Sequence, residues 1–189
     1  MIYNLSLVLL FVVAFVTQEF VPEVVWGYRA KVLAVPLVFF SSALTVSYPL
    51  MLVYAFLVGL VWDARYVVPP VTDDAGVVVT DVALGYSILL LGLTGSLMQG
   101  IRPLFGKGRW ELPVIMTGIA TAALLTLEYL LVNFMRGGFA FPQEVWSKIL
   151  ASSILTMCGA PILLFILYRI AKATGYKIRT EGLSSRRFS

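Results

Sequence analysis

Long stretches of apolar residues, almost free of charges, constrain the fold of this chain more than any other feature. They cover residues 2–16, 32–62, 82–101, 112–134 and 145–168. A helix of about 20 apolar residues crosses the roughly 30 Å hydrocarbon core of a bilayer. Only 13% of the 189 residues are charged, against about a quarter in soluble domains. The sequence therefore predicts an all-α integral membrane protein.

The stretch 32–62 decides the number of spans. As one helix it would be about 46 Å long, which is too long for the bilayer without strong tilt. Pro49 offers a break, because the residue before a proline disfavours the α conformation. We therefore predict two helices, 31–46 and 49–63, and a bundle of six spans. Keeping 32–62 as a single helix gives a five-span alternative.

Lysine and arginine residues set the orientation, since they concentrate in cytoplasmic loops. One basic loop follows the fourth predicted span, a basic tail ends the chain, and the connection 64–81 is acidic. With six spans, both termini are cytoplasmic and 64–81 lies outside. Six spans also leave Arg29 and Lys31 outside, whereas five spans would place those two residues in the cytoplasm. The loop residues expected at the membrane surface are Arg102, Lys107 and Arg109.

The domain organisation follows from this topology. We predict a polytopic membrane domain over residues 1–171 and a basic cytoplasmic tail over 172–189. The location is a cytoplasmic (inner) membrane, crossed several times.

Two residue counts exclude whole classes of chemistry. The chain has no histidine and a single cysteine, Cys158, so it lacks serine–histidine or cysteine–histidine catalysis, an imidazole metal site and an internal disulfide. A membrane aspartyl protease needs two adjacent carboxyl groups, and nothing in the sequence brings Asp63 to Asp81. Membrane topology explains the basic loop, so nucleic-acid binding is not implied. We expect no enzymatic activity, no metal and no cofactor.

Glu128 is the only acidic residue deep within a predicted span. A charge in hydrocarbon costs at least about 2.5 kcal/mol, so this side chain should face the bundle interior or be neutral. Thr117 and Thr121 share its helix face. Glu128 is either a contact for a partner helix or polar ligand, or a residue that reaches the outer interface and pairs with Arg136.

Small residues form one face of the fourth span. Gly85, Gly92 and Ser96 are spaced by seven and four residues, and such faces let helix backbones approach closely in a membrane. The face serves either packing within the bundle or a partner helix. Asp63, at the end of the third span, is suited to accept hydrogen bonds from backbone N–H groups of the following turn, as a cap does.

Several motifs occur in an order that resembles the rod-shape-determining protein MreD family. A span ends with Gly59-x-x-x-Asp63, the next opens with Leu84-Gly85, and the basic loop follows. A segment containing Pro142 and Trp146 leads into the last helix. One departure is the connection between Asp63 and Leu84, which has 20 residues here. The corresponding connection in the family is usually much shorter.

The resemblance implies a non-enzymatic subunit of the bacterial cell-elongation machinery, which regulates peptidoglycan synthesis and rod shape. Its partner would be a bitopic protein similar to MreC, with RodA, its transpeptidase and MreB as further components. The expected partner surface comprises Gly85, Gly92, Ser96 and Glu128. The expected structural motif comprises Gly59, Asp63, Leu84, Pro142 and Trp146.

An alternative function belongs to a different class. The substrate-binding S components of energy-coupling-factor vitamin transporters are also six-span bundles, and MreD-like proteins are expected to share that fold. In that interpretation 64–81 covers an outer vitamin pocket, with Glu128 or Asp81 as a ligand contact.

Overall fold

The chain folds into a bundle of helices. The structure, a computed structural model, describes residues 2–24, 28–65, 71–72, 78–79, 85–102, 111–135 and 142–176. Within them the helices are α1 (Ile2–Phe20), α2 (Ala34–Ala43), α3 (Tyr48–Arg65), α4 (Tyr86–Ile101), α5 (Glu111–Met135) and α6 (Gln143–Ala173). Two short strands, β1 (Val71–Thr72) and β2 (Val78–Val79), pair antiparallel between α3 and α4. Since α1, α3, α5 and α6 are long and apolar enough to cross a membrane, the predicted all-α membrane bundle is confirmed.

The stretch 32–62 forms two helices, as predicted, and not one. α2 ends at Ala43 and α3 begins at Tyr48, next to Pro49. A proline in the first turn of a helix sacrifices no hydrogen bond, because the N–H groups there have no partner within the helix. α2 is only about 15 Å long and α4 about 24 Å, so both are shorter than a full crossing.

Neighbouring helices run in alternating directions between two ends of the bundle. At one end, the Tyr3 end, the hydroxyl of Tyr3 donates to Oγ1 of Thr45 (2.7 Å). Its ring also stacks on that of Tyr176, with 4.2 Å between the centroids. Both termini of the described chain therefore lie at the Tyr3 end. The opposite end, where α3 finishes and α4 begins, is the Asp63 end.

α2 is the centre of the bundle. Every residue from Val35 to Ala43 is buried, and α2 packs against the five other described helices. A helix that is apolar all round has to be surrounded by other elements. The remaining helices form a ring around α2 and expose their outer apolar side chains.

The chain entering α2 is not helical, and neighbouring helices satisfy its backbone groups. The N–H of Lys31 donates to Oγ of Ser152 (3.2 Å), and the N–H of Leu33 donates to Oγ1 of Thr156 (3.1 Å). Gln18 of α1 accepts from the first N–H of α2 (2.6 Å). Irregular backbone at membrane depth persists only where protein supplies such partners.

Side chains of α4 satisfy the other end of α2. Gln99 donates through Nε2 to the carbonyls of Ala43 and Val46, the latter at 3.0 Å. The guanidinium of Arg102 donates to the carbonyl of Val46 (2.9 Å). Cationic donors suit a helix C-terminus, where unpaired carbonyls concentrate negative charge.

This contact corrects the placement predicted for Arg102. Only 5% of the residue is exposed, so it does not project onto the membrane surface. Its guanidinium is turned inward because the carbonyls at the end of α2 need donors that lipid cannot supply. Lys107 and Arg109, the other two residues predicted at the surface, lie outside the described residues.

The predicted boundary between membrane domain and tail falls too early. α6 continues through Lys172 to Ala173, and Gly175 then adopts a left-handed conformation (φ 63°). The N–H of Tyr176 donates back to the carbonyl of Ala171 (2.9 Å), which is a helix-ending turn. Residues 172–176 therefore belong to the bundle, and the tail from 177 onward is outside the described residues.

Replacing Thr156→Val should destabilise the bundle by about 1–3 kcal/mol, because the partly buried N–H of Leu33 loses its acceptor. The matched control is Thr121→Val. Thr121 is equally buried, but its hydroxyl donates only to the carbonyl of Thr117 in its own helix (2.7 Å), so its loss should cost about 1 kcal/mol or less. Unfolding by sodium dodecyl sulfate in mild-detergent micelles measures both variants. Equal losses would contradict the role assigned to Thr156.

Candidate functional site

Helices α3 and α4 come into direct backbone contact near the Asp63 end. A Cβ atom placed on Gly59 would lie 2.6 Å from the backbone nitrogen of Ile88 and 2.7 Å from its Cα. Real Cβ atoms do not approach backbone so closely. Glycine at 59 therefore sets the distance between the two helices.

One turn later, Asp63 caps the start of α4. Its Oδ2 accepts from the N–H of Gly85 (2.6 Å) and its Oδ1 from the N–H of Ser87 (3.3 Å). Gly85 is the N-cap residue of α4, with φ at 104°, a conformation that favours glycine, and it has no side chain to cap with. Asp63 was predicted to cap the turn that follows it; it accepts backbone hydrogen bonds as a cap does, but its donors belong to the start of α4, which corrects the prediction.

These contacts join the two motifs that carry the family resemblance. Gly59, Asp63 and Gly85, together with Ser87 and Ile88, form what we call the α3–α4 junction. Gly85 therefore has a structural role in this cap through its backbone N–H, while a Cβ atom placed on it would meet nothing within 4 Å. Leu84 lies outside the described residues.

A row of small residues remains open along α4. Gly92, Ser96 and Gly100 follow one another at intervals of four residues, and a Cβ atom placed on Gly92 or Gly100 meets nothing within 4 Å. The hydroxyl of Ser96 donates to the carbonyl of Gly92 (2.6 Å) and lies 3.3 Å from that of Tyr48. We call these three residues the α4 stripe; the sequence analysis identified the first two and missed Gly100.

The α4 stripe faces outward. The leucines that flank it, Leu89, Leu93 and Leu97, are 63%, 48% and 58% exposed. Exposed fractions of this size are those of side chains that contact lipid in a membrane bundle. The stripe is therefore a shallow groove, floored by backbone and partly buried at Gly92 and Ser96, with exposed leucines along one side and Tyr48 of α3 on the other.

Glu128 lies in a different place from the α4 stripe. It lines a narrow cleft between α2, α3, α4 and α5, to which α4 contributes its inward side through Ser87, Leu90 and Leu91. The predicted partner surface that combined Glu128 with Gly92 and Ser96 is therefore wrong. Thr117 and Thr121 are completely buried. Glu128 lies on the same face of α5, so it also faces the interior of the bundle.

The cleft is small and mostly apolar. Besides Glu128 and Ser87, its lining side chains are Val35, Pro36, Trp62, Leu90, Leu91 and Leu124. The space among them is about 10 Å³, room for about one water molecule. Within the described part of the chain, no hydrogen bond or ion pair reaches the Glu128 carboxyl group. Arg136, the predicted partner, is outside the described residues.

The two remaining motif residues lie at the start of α6. Pro142 is its N-cap residue, extended at φ −66° and ψ 135°, and its carbonyl accepts from the N–H of Val145 (3.1 Å). Trp146 is half-buried in the first turns. Both lie at the Asp63 end, but on a different helix from the α3–α4 junction. No group of residues suited to hold a metal ion occurs among the described residues.

Four polar residues that support α2 were missed by the sequence analysis: Gln18, Gln99, Ser152 and Thr156. A signal was present, because polar side chains within apolar spans usually face the bundle interior. Ser152 and Thr156 are also one helical turn apart. The sequence could not indicate which backbone groups they meet, since those lie about 120 residues away along the chain.

Comparison of the chain with protein-family models, with curated proteins and with solved structures gave no match. The likeness to the MreD family therefore depends on the sequence motifs alone.

Substituting Gly59→Ala should lower the free energy of unfolding by about 1–3 kcal/mol, because the new methyl group forces α3 and α4 apart. Gly92→Ala is the matched control on the facing helix. It places the methyl group in open space and should be neutral or stabilising by up to about 1 kcal/mol. Detergent-micelle unfolding distinguishes the two. A neutral Gly59→Ala would show that the close approach is not required.

Removal of the Asp63 carboxylate should destabilise the bundle by about 0.5–2 kcal/mol, the usual cost of losing an N-cap. Asp63→Ala tests this, with Ser87→Ala as the control, since Ser87 takes part in the cap through its backbone and not its side chain. Hydrogen exchange followed by mass spectrometry should show faster exchange at the start of α4 in Asp63→Ala alone. Unchanged exchange there would contradict the cap.

Proposed function

We propose that this chain is a non-enzymatic membrane subunit of the bacterial cell-elongation machinery, similar to MreD proteins. It binds the single span of an MreC-like partner and thereby influences peptidoglycan synthesis and rod shape. The observation that carries the proposal is the open α4 stripe, an outward groove of small residues on a helix that is held in place at both ends.

The physical basis is the way helices associate in lipid. Apolar side chains gain little by leaving lipid for another helix, so association depends on close packing and on hydrogen bonds across the interface. Gly92 and Gly100 let a partner backbone approach α4 closely, and Ser96 lies between them with a hydroxyl group. Leu93 and Leu97 then close over the partner from one side.

The rigidity of α4 supports this role. Asp63 caps its first turn, and Gln99 and Arg102 bind the end of α2 from its last turn. A surface that is already ordered loses little conformational freedom on binding. The α3–α4 junction is also where the motifs shared with the MreD family meet, so the resembling residues and the proposed surface belong to the same helix.

The proposal includes an orientation and a wider assembly. The Tyr3 end, with both described termini, faces the cytoplasm of a bacterial inner membrane, and the Asp63 end faces outward. RodA, its transpeptidase and MreB are proposed as further components of the complex. The S-component alternative places its vitamin pocket under the connection 64–81, most of which lies outside the described residues.

Affinity capture of the tagged chain from native membranes in mild detergent tests the proposal. We expect an MreC-like bitopic protein to be recovered with the wild type, and recovery to fall at least about tenfold with Gly92→Leu, equivalent to about 1.4 kcal/mol. A Cβ atom at Gly92 meets nothing within 4 Å, so this variant should fold normally.

The control places extra bulk on another exposed face. Val12 on α1 is 55% exposed, and Val12→Leu should leave recovery unchanged. Undiminished capture by Gly92→Leu would exclude the α4 stripe as the partner surface. Recovery of a coupling subunit with ATPases, in place of an MreC-like protein, would establish the transporter alternative.

A further inference from the structure

We infer that the outer face of α6 at the Tyr3 end binds the headgroups of anionic phospholipids through Arg169 and Lys172. Both residues are exposed, and they lie where α6 leaves the hydrocarbon core of the membrane. This surface is on a different helix from the α4 stripe, so it does not depend on the partner binding proposed above.

The outer face of α6 changes from apolar to cationic towards the Tyr3 end. Ile162, Phe165, Arg169 and Lys172 follow one another at intervals of three or four residues, which is the spacing of one helix face. All four are exposed. The first two therefore contact the acyl chains of lipids, and the two cations come directly after them.

The length of α6 sets the depth of Arg169 in the membrane. No charged residue occurs between Lys148, near the start of the helix, and Arg169, near its end. At 1.5 Å per residue the two are about 32 Å apart along the helix axis, which matches the roughly 30 Å hydrocarbon core. Arg169 therefore lies at the level of the lipid phosphate groups that face the Tyr3 end.

The side chain of Arg169 is oriented by its own helix. Its Cζ atom lies 5.2 Å from the centroid of the Phe165 ring, which is within the range of a cation–π interaction. Among the described residues, Arg169 has no ion pair. A guanidinium group held at this depth is suited to bind two oxygen atoms of one phosphate group.

Acidic residues leave this surface positively charged. In the described ranges, the ion pair is Arg65–Glu19 at the Asp63 end, and neither Arg169 nor Lys172 takes part in one. The start of α6 differs, because Glu144 precedes Lys148 by one helical turn on the same face. The two ends of α6 therefore offer lipids a balanced and an unbalanced charge.

The tail adds positive charge at the same end. Residues 177–189 contain four basic residues and one acidic residue. The stack of Tyr176 on Tyr3 ties the chain to the bundle immediately before the tail begins. Clusters of basic residues next to a membrane span are typical of proteins that bind anionic lipids.

The order of groups along this face matches a phospholipid. Such a lipid carries its phosphate group directly above its acyl chains, and α6 presents two cations directly after two apolar side chains. An acidic soluble protein would match the cations and not the apolar part. A zwitterionic lipid carries its own cationic group, which offsets the phosphate charge, so the surface should prefer anionic lipids.

Native mass spectrometry of the full chain in mild detergent tests this preference, by titration with dioleoylphosphatidylglycerol and, separately, with dioleoylphosphatidylcholine. We expect the anionic lipid to bind at least about tenfold more tightly, since each basic residue near acidic headgroups contributes about a fivefold factor. The double variant Arg169→Gln with Lys172→Gln should lower that preference at least about fivefold. Lys148→Gln, at the other end of the same helix, is the matched control and should leave it unchanged.

A second variant keeps both charges. Arg169→Lys combined with Lys172→Arg should retain the preference for the anionic lipid. All these side chains are exposed, so the variants should unfold in detergent as the wild type does. Glycerol 3-phosphate in large excess, which offers a phosphate group without acyl chains, should not displace the lipid.

Equal binding of the two lipids by the wild type would overturn the inference. So would an undiminished preference in the double glutamine variant, or an equal loss with Lys148→Gln. Displacement of the lipid by glycerol 3-phosphate would mean that the surface binds a soluble phosphate compound, which also contradicts a lipid site.

Discussion

The need to satisfy backbone hydrogen bonds around the short central helix α2 governs the rest of this bundle. Lipid offers no donors or acceptors, so each exposed end of α2 requires partners from other helices. Gln18, Ser152 and Thr156 serve the entry, and Gln99 and Arg102 serve the exit. Helices α1, α4 and α6 are thereby fixed in depth and rotation against α2, because a small slide of any of the three would leave backbone groups at the ends of α2 unpaired.

The same constraint connects the core to the surface proposed for partner binding. α4 is held by Asp63 at its first turn and binds the exit of α2 from its last turn, so its rotation is determined. Its inward side then closes the cleft at Glu128, and its outward side carries the α4 stripe. One helix thus separates the cleft at Glu128 from the surface proposed for partner binding, and a rotation of α4 would alter both.

Much of the fold could be predicted from local sequence. The length of the apolar stretches indicated where the helices lie, and Pro49 indicated the division between α2 and α3. Both signals are local, since the first acts over one span and the second over one helical turn. Asp63 was recognised as a cap from its position at a helix end. The target of that cap was not predictable, since Gly85 is 22 residues further along the chain. The charge pattern placed Arg102 at the membrane surface, where such residues usually lie, and missed the carbonyls that turn it inward.

The sequence by itself determined that this is an all-α membrane protein, roughly where its helices lie, and that Glu128 and the small residues of α4 are unusual for their positions. Only the tertiary structure decided that Glu128 and the α4 stripe face opposite ways, that Gly85 belongs to a cap, and that α2 is the centre. The physical reason is that hydropathy and helix-ending signals act over a few residues. A helix that is apolar on every side gives no local signal of which way its side chains face. That direction depends on which distant backbone groups require a hydrogen-bond partner.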